Sequence, residues 1–153
     1  VQLADGRIVD DYFVSVREEV ALIVPVTDDG HIILVRQYKH GIGEIVTELP
    51  GGFFSEISET AEEAALRELQ EETGYKSEAI RKIAVLCDNP TKDTNHLHIF
   101  LAENCKKVSS QNLDENEQIE IIKVSADTAL QWVKAGTIKT TGSVAGILLT
   151  LNR

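Results

Sequence analysis

Arg67-Glu68-Leu69-Gln70-Glu71-Glu72-Thr73, near the middle of this 153-residue chain, sets three carboxylates on one side of a helix. At about 100° per residue, Glu68 and Glu72 stand about 40° apart, with Glu71 about 60° from Glu68 on its other side. The same arc holds Ala61, Ala64, Ala65 and, at its edge, Leu69. Glu68 and Glu72 are therefore expected on the small apolar side that faces the protein, while Glu63, Arg67 and Gln70 point elsewhere. A carboxylate brought there without a partner is costly. Hard divalent cations relieve that cost through oxygen ligands, and Mg²⁺ commonly shares its shell between one or two carboxylates and substrate phosphates. The competing reading is a solvated acidic face with i,i+4 ion pairs, Glu63 to Arg67 or Arg67 to Glu71. The alanine phase favours the cation.

Outward from this helix, expected over Thr60 to Thr73 with Ser58 or Thr60 as N-cap and Gly74 as its stop, the chain reads as strands and short helices. The runs Val20 to Val26 and Ile32 to Arg36 flank Asp28-Asp29-Gly30, a hairpin signal, and their near-continuous hydrophobicity predicts strands covered on both faces. A short strand near Ile45 to Leu49 leads into a glycine loop, Gly51-Gly52. Further strands are expected near Ile80 to Leu86, His96 to Ala102 and Gln118 to Val124. Two helices follow, one from Ser125 to Gly136 containing Trp132, and one over Ser143 to Leu151. Mixed strands interrupted by helices predict an α/β class, a sheet between two helical layers. Before all of this, a strand near Ile8 to Val16 after the turn Asp5-Gly6-Arg7 predicts an N-terminal antiparallel strand arm over residues 1–19, ahead of a domain over residues 20–153.

A net charge of −10 without a Lys/Arg cluster argues against nucleic acid as a partner. Cys87 and Cys105 lack the spacing of a disulfide framework or zinc site, and His31, His40, His96 and His98 lack metal-ligand spacing. With no apolar run long enough for a bilayer and no signal-peptide pattern, a cytoplasmic protein without membrane contact is expected.

The wider run Leu49-Pro50-Gly51-Gly52, Glu59, then Arg67-Glu68-Leu69-Gln70-Glu71-Glu72-Thr73-Gly74-Tyr75 resembles the Nudix box: Gly, five residues, Glu, seven residues, then Arg-Glu-apolar-x-Glu-Glu-x-Gly-apolar. Every position from Glu59 to Tyr75 fits. The pattern's first Gly would fall at Phe53, so the glycine pair sits early, as a one-residue loop insertion would place it. The flanks Arg36-Gln37-Tyr38-Lys39-His40 and Glu48-Leu49-Pro50, with Pro90 beyond the box and the stretch from Leu113 to Gly136, resemble the ADP-ribose pyrophosphatase-like subfamily.

That resemblance implies the Nudix fold, an α/β/α sandwich with a mixed sheet, and a hydrolase that cleaves the diphosphate of a nucleoside diphosphate sugar. It implies Mg²⁺, with Mn²⁺ as the alternative ion, held by Glu68 and Glu72, by Glu71 directly or through water, and by the carbonyl of Gly51 or of Gly52. Arg67 would orient the carboxylates. Lys39, Arg36, Glu48 and Pro90 would meet the substrate, and the general base would be Glu117, with Glu115 second. Lys39 stands where relatives use arginine, and Asn89 to Asn95 replaces their usual loop. ADP-ribose, split to AMP and ribose 5-phosphate, thus stands beside GDP-mannose and other nucleotide sugars as substrate. The rival class is a noncatalytic nucleotide-sugar sensor, which commonly lacks box carboxylates or adds a DNA-binding segment. The segment from Val1 to Glu19, with Tyr12, Phe13, Val14 and Val16, looks like the exchanged arm of a homodimer.

Overall fold

A computed structural model describes residues 1–152. In order the chain forms β1 (Glu19–Thr27), β2 (His31–Lys39), β3 (Glu44–Glu48), β4 (Gly51–Phe54), α1 (Ala61–Thr73), β5 (Tyr75–Lys76), β6 (Ala79–Cys87), β7 (His96–Lys107), β8 (Glu120–Ser125), α2 (Ala126–Lys134) and α3 (Thr141–Leu151). The hairpin signal is realised: Gly30 closes the β1–β2 turn by donating its N–H to the Thr27 carbonyl at 3.0 Å. Yet β1 meets β2 in register only at Val26 and Ile32. Beyond that pair the strands take different partners. β2 runs antiparallel between β3 and β8, whereas β1 runs antiparallel to β4 and parallel to β7, which carries β5 and β6. The sheet is therefore mixed.

Helices cover both faces, as the apolar runs require. Against α1 lie Ala21, Ile23, Phe54, Phe100 and Ala102, and alanines Ala61, Ala64 and Ala65 let the helix sit close. Against α2 and α3 lie Val24, Ile32, Leu34, Leu97, Ile99 and Leu101. Each large side chain so buried contributes about 1.5–3 kcal/mol. The molecule is an α/β/α sandwich, and among the described residues no helix is long and apolar enough to cross a membrane.

Thr60, not Ser58, caps α1. Its hydroxyl accepts the Glu63 N–H at 3.2 Å and the Glu63 carboxylate accepts the Thr60 N–H at 2.8 Å, a reciprocal capping box that uses Glu63 and keeps it from Arg67. At the other end Gly74 adopts a left-handed φ of 73°, and its N–H returns to the Gln70 carbonyl.

Four expectations shift. Gly51-Gly52-Phe53-Phe54 is a strand rather than a loop, because β1 offers it an open edge. The two-residue β5 went unforeseen, and α3 starts two residues early, at Thr141. The strand from Ile8 to Val16 does not form. Of the N-terminal strand pair one antiparallel bridge remains, Gln2 with Ile8. The rest of the arm lies on the loop before β7: the Tyr12 hydroxyl donates to the Thr91 carbonyl, the Ser15 N–H donates to Lys92, and the Ser15 carbonyl accepts from Thr94.

Candidate active site

The phase of α1 delivers two carboxylates into the protein. Glu72 is 4% exposed, and one of its oxygens accepts the Gly51 N–H at 2.9 Å. Burial pushes its carboxyl up to about 8, the neighbouring charges of Glu68 and Glu117 push the same way, and the Gly51 N–H and Lys39 oppose them. Burial likewise raises Glu68, against the pull of Arg67. The glycine pair now has a reason. A Cβ at Gly52 would overlap the Glu68 carboxylate, so β4 can pass beneath that group only without a side chain.

Arg67 is the hub behind these carboxylates. Nε and Nη2 grip the two oxygens of Glu59 at 3.1 and 2.8 Å, and Nη1 donates to Glu68 at 2.8 Å and Glu71 at 2.9 Å. Those bonds, the Glu59 pair first, hold its pKa above the ordinary arginine value, so the guanidinium stays charged between the carboxylates. The early position of the glycine pair leaves this grip intact. The N–H groups of Ser58 and Glu59 both fold back on the Ser55 carbonyl, and Ile57 is thrown outward, 98% exposed.

Glu68 and Glu72 open onto a cleft of about 400 Å³ in the gap where β1 with β4 parts from β2 with β3. Gly51, Lys39, Glu48 and Glu117 line it too. Lys39 Nζ sits 2.9 Å from Glu48 Oε1, which also accepts from Gln37 at 3.1 Å. Glu117 is held by its own turn: its carboxylate accepts the Asp114 N–H at 3.1 Å, and its N–H donates to the Asp114 carbonyl at 3.0 Å.

Other candidates stand apart. Glu71 turns with Arg67 toward a second, smaller depression beside Gln70, Ser109 and Asn112. Arg36 points to a separate groove, against Glu120 and Thr47. Pro90 and Glu115 do not line the cleft. Missing from the candidates were Gln37, Asp88 and the Thr140-Thr141-Gly142-Ser143 start of α3. Ser143 Oγ accepts the Leu49 N–H at 2.9 Å and a bond from Thr140 at 2.8 Å, clamping the helix start on the segment before the glycines. A run of small polar residues ahead of an apolar helix was the signal for that wall.

The residues fit a hard divalent cation. Their donors are all oxygens, Glu72 is buried without the grip of a lysine or arginine that Glu59 and Glu68 have, and the Gly52 gap leaves the Glu68 carboxylate its space. Among the described residues no group of three or more His, Cys, Asp or Glu side chains is placed to hold a metal ion. Mg²⁺ asks for none, since it typically takes one or two carboxylates and completes its shell with water and substrate phosphate. Glu68 and Glu72 would supply those two.

The NUDIX domain family matches residues 16–141. An ADP-ribose pyrophosphatase of Bacillus subtilis (strain 168) is 33% identical over 149 residues, covering 88% of this chain and 80% of its own. A methanol dehydrogenase activator of Bacillus methanolicus is 30% identical over 126 residues, covering 82% and 68%. A crystal structure of an ADP compounds hydrolase superposes with a TM-score of 0.80 over 99% of this chain and 80% of that one, at 21% identity, a likeness of fold.

Proposed function

The chain belongs to the Nudix family, and from that premise we propose that it hydrolyses the diphosphate of a nucleoside diphosphate sugar with Mg²⁺, converting ADP-ribose to AMP and ribose 5-phosphate. The observation that carries the reading is the pair Glu68, half-buried, and Glu72, buried, which line one cleft with Lys39 and Glu117. A bound divalent cation supplies charge for the phosphate oxygens and lowers the pKa of the attacking water. The remaining work falls to side chains. Lys39, steadied by Glu48, attracts a nonbridging phosphate oxygen. Glu117 takes a proton from water as its oxygen bonds to one phosphorus, and the bond from that phosphorus to the bridging oxygen breaks. Arg67 keeps Glu68 aligned throughout.

GDP-mannose or another nucleotide sugar is the second reading, favoured by Lys39. A lysine offers a point charge where an arginine would offer a bidentate fork. The retained box carboxylates weigh against a sensor. We propose also that the protein is a cytoplasmic homodimer, with free thiols at Cys87 and Cys105 suited to a reducing compartment. Exposed Ile8, Phe13 and Val16 on the arm give a second copy an apolar surface. Purified protein with Mg²⁺, screened against a panel of nucleoside diphosphate derivatives with products identified by mass, tests the activity. Folded protein that turns over none of them would favour the sensor.

A further inference from the structure

A helix leaves its last four carbonyls without intrahelical partners. At the end of α1 the segment over residues 108–112 answers two of them, those of Glu71 and Glu72, and also bonds the Gly74 carbonyl beyond the helix. The Asn112 N–H donates to the Glu71 carbonyl at 2.8 Å, and the N–H groups of Val108 and Ser109 donate to Gly74 at 2.9 and 3.2 Å. The Glu72 carbonyl is met by a side chain: Gln111 Nε2 donates to it at 2.7 Å. The same nitrogen donates to the Ile119 carbonyl at 3.0 Å. A primary amide has two N–H donors, and here each has its own carbonyl.

The two carbonyls belong to the two segments that matter most in the cleft. Glu72 is the buried carboxylate residue of α1, and Ile119 is the buried residue two places beyond Glu117. Between Asn112 and Ile119 the chain runs over the surface, and the bonds that shape the Glu117 turn, Asp114 to Glu117 and back, are internal to it. They fix the turn's shape and leave its place to be set elsewhere. Gln111 is half-buried and does not line the cleft.

We propose that Gln111 is a positioning residue, whose single amide holds the Glu117 turn in register with the carboxylate helix and so sets where Glu117 stands over the attacking water. The inference rests on the hydrolase reading of the cleft. The residue type suits the task. Glutamate has the same reach and no N–H to give, asparagine is one methylene short of spanning both carbonyls, and alanine hands them to water. Misplacing a reacting group by about 1 Å costs up to about a hundredfold in rate.

The test compares Gln111→Ala, Gln111→Glu, Gln111→Lys, Glu117→Gln and the double variant Gln111→Ala/Glu117→Gln with wild type, on whichever nucleoside diphosphate sugar the wild type cleaves. Mg²⁺ affinity by calorimetry and melting temperature are recorded alongside. Gln111→Ala and Gln111→Glu should lower kcat about tenfold or more, with KM and Mg²⁺ affinity near wild type. Gln111→Lys, which keeps N–H donors at similar reach, should recover most of the rate lost in Gln111→Glu. The double variant should be no slower than Glu117→Gln, because a residue acting through Glu117 has nothing left to position. Where Gln111→Ala melts too low to assay, the Glu and Lys variants decide the matter. Wild-type kcat in Gln111→Glu, losses that multiply in the double variant, or a fall in Mg²⁺ affinity as large as the fall in rate would each overturn the assignment. Those results leave the hydrolase reading standing; a wild type that cleaves nothing removes that reading and this inference with it.

Discussion

Replacing Glu72 by glutamine should make the metal-free protein more stable at alkaline pH while destroying its activity. Its carboxyl is raised by burial from an ordinary 4.5 to about 8, so the folded protein holds a proton that the unfolded chain releases. Stability contributed by that proton is complete below about pH 4.5, declines as pH rises through the window to about 8, and stays lost above it. At about 1.4 kcal/mol for each tenfold change in proton affinity, the ionised group costs the metal-free fold on the order of 5 kcal/mol. For a domain of this size that is on the order of 10 °C in Tm. The amide introduced by Glu72→Gln would keep an acceptor for the Gly51 N–H and carry no charge. Thermal melts followed by circular dichroism in chelator, from pH 4.5 to pH 9, should therefore show wild type falling and Glu72→Gln staying flatter. Mg²⁺ should raise the wild-type Tm and leave the variant's nearly unchanged. Turnover should fall by at least about a hundredfold, the scale expected when transition-state charge loses its preorganised support. Equal pH dependence in the two proteins, or near-normal turnover of Glu72→Gln at saturating Mg²⁺, would refute the reasoning.

Other outcomes follow from the same geometry. Glu117→Gln should slow hydrolysis by roughly 10²- to 10⁴-fold with little change in Mg²⁺ affinity, and Glu115→Gln should be nearly silent; the reverse ranking in steady-state assays would move the base to Glu115. Gly52→Ala should push its new methyl into the Glu68 carboxylate and cost about 1–3 kcal/mol along with most activity, whereas a stable, fully active variant in denaturant melts and assays would show that the gap is not required. Light scattering at micromolar concentration should give about twice the 16.9 kDa chain mass, and a fully active monomer would exclude the dimer.

How far the sequence reaches can be judged residue by residue. Helix α1 was legible in its span, because period and terminal glycine are local signals, and its phase put Glu72 inside, while the choice of Thr60 over Ser58 as cap came from the structure. It also set Glu71 on the same side, about 60° from Glu68, whereas the structure turns it toward Arg67 and away from the cleft. Strand β4 was not legible, since Gly-Gly-Phe-Phe becomes a strand only through pairing with β1, a contact between distant segments. The opposite happened in the arm: Ile8, Val14 and Val16 have the composition of a strand, but Ile8 makes a single bridge, to Gln2, and Ser15 meets the loop over residues 91–94. Arg36 and Lys39 show a signal present but overlooked. On β2, side chains alternate between faces, so Lys39 lies on the cleft side while Arg36 and Tyr38 border the other groove, with Gln37 lining both. Motif likeness grouped Arg36 with Lys39; strand period separates those two.

The central claim is that this cleft adds water across a diphosphate with Glu68 and Glu72 holding the cation. Incubation with ADP-ribose and Mg²⁺ in ¹⁸O-labelled water, followed by mass spectrometry, tests it most directly. The account predicts AMP and ribose 5-phosphate with one ¹⁸O in one of the two products, and no reaction in chelator. Intact ADP-ribose and every other nucleoside diphosphate sugar after prolonged incubation with folded protein, or products free of label, would contradict it.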